Sequence, residues 1–185
     1  MKGDLILCGL LVIVLLSTNL AGAADSGAAS SASDANLPPE HRMTFRFDAW
    51  ASTTSVFGQQ WDLFQISGCD LLGNPGQPQI PRKVVNLQLP QPLVRVEVRF
   101  SGETVYDGVR LAPRPPDYLP GLDIIDLSRP LVDEKMYNRE GLLPAASYQV
   151  EKLGQGKNDA GQRIWGYNIL LSPLRYDPVK GQAHL

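Results

Sequence analysis

Apolar residues recur at every second position through much of this chain. Met43, Phe45, Phe47 and Ala49 fall on one side, and Arg42, Thr44, Arg46 and Asp48 on the other. A period of two describes a strand with one wet face. The clearest case is Val94 to Phe100 (VRVEVRF), which places Val94, Val96, Val98 and Phe100 inside and Arg95, Glu97 and Arg99 outside. Val85, Leu87 and Leu89 repeat the pattern within KVVNLQL. Trp61 to Ile66, Tyr148 to Leu153 and Ile164 to Leu171 complete the expected strands. Ser101-Gly102 is a turn signal that predicts a hairpin from VRVEVRF into Glu103 to Leu111.

Between these runs lie GNPGQPQIP, APRPPDYLPG, LSRP, GLLP and SPLRYDP. Proline cannot donate a ladder hydrogen bond, so these stretches punctuate the strands. No window sustains the i, i+3, i+4, i+7 spacing of an amphipathic helix. The best helical candidate is Leu131 to Asn138, a turn or two after Pro130. Short strands at near-regular spacing with little helix predict an all-β chain, an antiparallel β-sandwich or barrel. The C-terminal stretch SPLRYDPVKG, Ser172 to Gly181, reads as the middle of a hairpin, yet only Gln182, Ala183, His184 and Leu185 follow. The expectation is a β-sandwich over 41–185 that lacks its last strand or strands. Its sheet edge would then be exposed to pairing with another chain.

The N-terminus changes the picture of where the protein works. Lys2 precedes an apolar core, Leu5 to Leu16, and Ala21-Gly22-Ala23 is an A-x-A cleavage site. This pattern predicts a signal peptide over 1–23, cut between Ala23 and Ala24. The apolar run is too short to cross about 30 Å of hydrocarbon. Leu5-Ile6-Leu7-Cys8 has a bulky Leu7 where a lipobox wants a small residue, so lipid anchoring is not expected. Ala24 to Asn36 (ADSGAASSASDAN) is small and polar, which predicts a disordered leader over 24–40. The expected location is the periplasm, the cell surface or the extracellular space.

Composition narrows the partners. Removing the signal peptide leaves Cys69 as the one cysteine, so no internal disulfide is expected and stability must come from an apolar core. The formal net charge is −2, with acids and bases interspersed. No basic stripe interleaved with aromatics supports nucleic-acid binding. No membrane contact is expected after signal cleavage.

Candidate chemistry is sparse. The histidines, His41 and His184, each stand near a terminus or leader. No His-x-x-x-His, Cys pair or Asp-rich loop has metal-ligand spacing, so neither metal nor cofactor is expected. G-x-S-x-G and P-loop motifs are absent. Cys69 with His41 or His184 could form a nucleophile–base pair. The plainer reading of Cys69 is a small buried hydrophobe in a Ser-Gly-Cys turn. Trp50, Trp61, Trp165, Tyr106, Tyr148 and Tyr167 could build a sugar platform, but their placement within strand runs favours packing.

The order of several stretches resembles the N-terminal propeptide of gingipain-type cysteine peptidases, exported bacterial proteases with a caspase-like catalytic domain. The first stretch is Gly76-Gln77-Pro78-Gln79-Ile80-Pro81, similar to the family's G-x-P-x-L-P, which leads into Val84 to Leu89 and Pro90. Next come VRVEVRF and the apolar stretch ending in Leu111-Ala112-Pro113. Tyr137-Asn138-Arg139-Glu140-Gly141-Leu142-Leu143-Pro144 follows. Last is Ile169 to Pro178, similar to the family's P-hydrophobic-x-Y-N-P turn, with Asp177 in place of Asn. The resemblance spans Met43 to Gly181. It implies a non-catalytic β-sandwich that acts as intramolecular chaperone and inhibitor of its peptidase, in cis or in trans. In relatives a further strand or two and then the catalytic domain follow the Tyr-x-Pro turn. The resemblance also implies that one loop presents a basic side chain to the specificity pocket. The nearest equivalent here is Glu151 to Arg163 (EKLGQGKNDAGQR), with Arg163 the first choice for that anchor and Lys157 the second. Alternative readings are a solvated loop with ordinary surface charges, a cell-surface β-sandwich adhesin or carbohydrate-binding module, and a small hydrolase using Cys69.

Overall fold

A computed structural model describes residues 5–6, 10–18, 40–56, 58–115 and 132–185. Strands β1 (Leu5–Ile6), β2 (Leu10–Thr18), β3 (Glu40–Phe47), β4 (Ala49–Val56) and β5 (Gln59–Ile66) come first. Strands β6 (Asp70–Leu72), β7 (Ile80–Leu89), β8 (Leu93–Ser101) and β9 (Val105–Asp107) precede one short helix, α1 (Glu134–Tyr137). Strands β10 (Tyr148–Lys157), β11 (Arg163–Leu171), β12 (Arg175–Asp177) and β13 (Gln182–His184) complete the order. The sheets run β1-β4-β5, β10-β11-β7-β6, β12-β13-β9 and β3-β2-β8, with antiparallel pairing throughout. The helix-poor, all-β architecture expected from the period-two pattern is the one the chain adopts.

The core lies where the inward faces of these sheets meet. Phe47, Phe64, Ile66, Ile80, Ile169, Leu171, Leu174 and Tyr176 form one buried cluster. Val85, Leu87, Val96, Val98 and Phe100 pack against it from β7 and β8, as their alternation predicts. Burying such side chains stabilises by about 1.5–3 kcal/mol each, which is the main term holding together a fold with no disulfide among its described residues. Trp61 is fully buried, with Tyr137 of α1 edge-on at 5.9 Å. The Tyr137 hydroxyl donates to the Leu111 carbonyl at 2.8 Å. Asp133 caps α1 by accepting from the backbone N–H groups of Lys135 and Met136. The helix thus falls within the expected Leu131 to Asn138 stretch, of which Leu131 lies outside the described residues.

Three expectations need correction. The hairpin from Ser101-Gly102 into Glu103 does not form, because β9 pairs with β13 rather than β8. Gly102 turns the chain at φ 87°, and Thr104 then exchanges backbone hydrogen bonds with Leu185 at 2.7 and 2.9 Å. Val94 is not inside; it is 53 % exposed, and Leu93 packs on the core instead. The cause is a register shift in the β2–β8 ladder, where Ser17 pairs with Arg95 and Thr18 with Leu93, leaving Val94 as the extra residue. The return strand expected to be missing is present as β13, which pairs with β12 on one side and β9 on the other. Its turn is fixed by the Lys180 backbone N–H donating to Asp177 Oδ1 at 3.1 Å. Ala183 and Leu185 are buried, so a strand of only three residues is held by its side chains.

At the other end, β2 pairs with β3 and with β8. This segment belongs to the stretch read as a signal peptide. Ala23, Ala24 and residues 24–39 of the expected leader lie outside the described residues, and β3 begins at Glu40.

Candidate functional site

The expected partner-binding residues lie at the tip of the β10–β11 hairpin. Sequence reading placed a loop from Glu151 to Arg163, but strand pairing continues to Lys157, and only 158–162 connect the strands. Glycines make this extension possible. The ladder shifts register between Lys152 and Gly154, so Leu153 bulges out and is 60 % exposed. Gly154 adopts φ 128°, open to glycine and strained for other residues. Across the ladder, a Cβ on Gly166 would lie 3.4 Å from Leu153 Cβ, so Gly166 stands directly against the bulge. The Lys152 ammonium rests 4.5 Å from the centre of the Trp165 ring, a cation–π contact that ties the two strands near the bulge.

The tip itself is ordered by its own hydrogen bonds. The Asn158 N–H donates to the Gln162 carbonyl at 2.9 Å, and the Gly161 N–H to the Asn158 carbonyl at 2.8 Å. The Asn158 side chain adds two more bonds to Gln162, at 2.9 and 3.0 Å. Lys157 and Arg163 flank this turn as direct cross-strand partners and are both exposed. Like charges directly opposite each other weaken a ladder. Neither forms an ion pair with an acid among the described residues. The structure therefore brings together the two residues singled out from the sequence, at the end of a stiffened, projecting hairpin. An acidic partner surface would relieve their mutual repulsion and accept charge-assisted hydrogen bonds.

The competing site residues are not brought together in this way. Burial pushes the Cys69 thiol up to about 12, with Asp70 adding to the rise and the Lys83 ammonium countering part of it. A nucleophilic cysteine needs the opposite shift. His184 lies 3.5 Å from Glu103 and belongs to β13. Of the proposed sugar-binding aromatics, Trp61 is buried, Trp50 is 44 % exposed on β4, and Trp165 sits on β11 of another sheet. They share no flat face. Sequence reading passed over Arg82 altogether. Its Nε is buried and makes no hydrogen bond. The available signal was a charged residue directly after the buried Ile80-Pro81 pair.

A family model described as Propeptide_C25 matches residues 37–185. No curated protein matches the chain. Among solved structures, one concerned with the zymogenic latency of gingipain K from Porphyromonas gingivalis superimposes with a TM-score of 0.53 at 22 % identity, covering 75 % of each chain. A complex of the pro- and mature domains of Porphyromonas gingivalis RgpB gives a TM-score of 0.55 at 15 % identity, covering 75 % of this chain and 73 % of that one. At such identities these two likenesses speak for the fold, whereas the family match covers the larger part of the sequence. The chain belongs to the Propeptide_C25 family, the propeptides of gingipain-type cysteine peptidases, and is a non-catalytic prodomain.

Proposed function

We propose that this prodomain chaperones and inhibits a gingipain-like cysteine peptidase, covering its active site until cleavage releases it. The observation that carries this reading is the hydrogen-bonded tip at 158–162, flanked by Lys157 and Arg163 with no ion-pair partner among the described residues. A rigid loop loses little conformational entropy on docking, so more of the contact energy appears as affinity. In RgpB the pro- and mature domains form a complex, which supports a catalytic domain as partner here. The interface should bury about 1,200–2,000 Å². Arg163 is the proposed anchor, entering an acidic specificity pocket with a bidentate pair of hydrogen bonds, and Lys157 adds a second charge. The protein is exported, with residues 1–23 as its signal peptide and the cut between Ala23 and Ala24.

The test is inhibition of a gingipain-like peptidase of Arg or Lys specificity by the purified protein. Inhibition should be slow and saturable. Arg163→Ala should weaken it by about tenfold or more, as loss of a buried charged anchor does. Unchanged inhibition by both Arg163→Ala and Lys157→Ala would remove the anchor.

A further inference from the structure

Among the described residues, Arg82 is a cation with no counter-ion. It stands on β7 between two cavities of ≈ 240 and ≈ 210 Å³ that share Arg82, Pro144 and Ala145 in their walls. Its Nε is shielded from solvent and has no hydrogen-bond partner. The natural intrachain partner is Asp70, its Cα neighbour across the β6–β7 ladder, yet the two form no ion pair. Burial lowers the Arg82 pKa, and no carboxylate counters that shift. Among the described residues, neither cavity has an Asp or Glu in its lining. The smaller one adds a second guanidinium, Arg139, and the Gln77 side chain. The Gln77 Oε1 accepts from the Asn74 N–H at 3.3 Å, so its amide NH2 is left as a donor.

A half-buried guanidinium costs free energy unless it is paired, and it cannot shed its proton at neutral pH to escape that cost. Proteins retain such a group where something outside the chain completes it. The chemistry of what completes this one is narrow. A planar guanidinium with a free Nε–H matches the two oxygens of a carboxylate. The surrounding Pro144, Ala145 and Leu143 walls lower the local dielectric and strengthen that bond. Two arginines, a glutamine and no acid among the described residues make the site an anion receptor.

We propose that the Arg82 cavities form a carboxylate-binding subsite that takes an Asp or Glu side chain of the peptidase, a second attachment point separate from the β10–β11 tip. The peptidase as source of the carboxylate rests on the prodomain reading; the carboxylate chemistry does not.

The site is tested first on the full chain alone, by following the Arg82 Nε–Hε signal in 15N NMR during addition of sodium acetate, with sodium chloride at matched ionic strength as control. Acetate should shift that signal saturably at millimolar concentration, and chloride should not. Equal responses to the two salts would overturn the subsite. Arg82→Met should abolish the acetate response while raising the melting temperature by about 2–5 °C, because it removes an unpaired charge that is half withdrawn from water. A melting temperature that falls instead would show that Arg82 is already satisfied within the chain and would overturn the proposal. Should the methionine variant fail to fold, Arg82→Lys keeps the charge, loses the fork, and should lose most of the acetate response. The second arm measures affinity for the peptidase. Arg82→Met should weaken it by about tenfold or more. An acetate response together with unchanged peptidase affinity would overturn the peptidase side chain as occupant. If the unaltered chain does not bind the peptidase at all, the prodomain reading fails, and the acetate titration still decides the subsite.

Discussion

Two three-stranded ladders in this protein look alike and are built differently. β7, β11 and β10 form one, within the four-stranded sheet β10-β11-β7-β6, and β3, β2 and β8 form the other. In the first, every strand lies between residues 80 and 171, inside the region matched by the family. In the second, the central strand is Leu10–Thr18, outside that region, and β3 and β8 meet only through it. The outer strands of the second ladder are two-faced, with Met43, Phe45, Val96, Val98 and Phe100 on the core and Arg42, Arg46, Arg95 and Arg99 exposed. The β2 sequence LLVIVLLST does not alternate to match. Leu11, Ile13 and Leu15 stand in register with Arg46, Thr44 and Arg42 on one side and with Ser101, Arg99 and Glu97 on the other. A ladder whose middle and flanking strands follow different patterns is less firmly specified than one whose strands agree.

The largest expected effect breaks the second ladder outright. A chain beginning at Ala24, the mature form that the proposed signal cut would leave, lacks β2, so the backbone groups that β3 and β8 turn toward it become unpaired edges. Amide exchange in Arg42–Phe47 and Val94–Ser101 should accelerate by orders of magnitude, while β7 and β11 keep their protection. Equal protection of both ladders in that shortened chain would mean that β3 and β8 find another partner, and the contrast would collapse. A smaller effect comes from the cores of the two ladders. Ile169 on β11 is fully buried and Val98 on β8 partly so. Urea unfolding should show Ile169→Ala costing about 3–5 kcal/mol and Val98→Ala about 1–2 kcal/mol. Reversed values would place the firmer core under β8. The smallest effect is a pH dependence beside β7. The folded Cys69 thiol holds its proton to about 12, whereas in the unfolded chain it loses it near about 8.5. The folded state then binds more protons at high pH, so stability declines as pH rises through this window. Thermal melts of Cys69→Ala between pH 8 and 11 should have a shallower slope than those of the unaltered chain, with little difference below pH 8.

The strands that were legible in the sequence are those with a clean face. Val85, Leu87 and Leu89 alternate with Asn86 and Gln88, and β7 falls where that pattern predicts. The extension of β10 through Gly154 and Gly156 was not legible, because glycine carries no side chain from which to read a face. The sequence placed Lys157 and Arg163 in one loop running from Glu151 to Arg163, but their direct opposition across a turn of 158–162 depends on the bulge at Leu153, which shifts the ladder. Arg82 was invisible as a site because its meaning depends on what is absent around it. Asp70 lies opposite it in the ladder and yet makes no ion pair.

Local sequence by itself determined the strand-rich character, the faces of β3, β7 and most of β8, and the helical turn near Asp133. These follow from side-chain period, capping and turn chemistry, which act over a few residues. Tertiary structure alone decided that β9 leaves β8 to pair with β13, that Leu93 displaces Val94 from the core, and that Arg82 is half-buried without a counter-ion among the described residues. Each of these depends on which distant segment arrives alongside, because backbone pairing and burial are satisfied by contacts that no local pattern encodes.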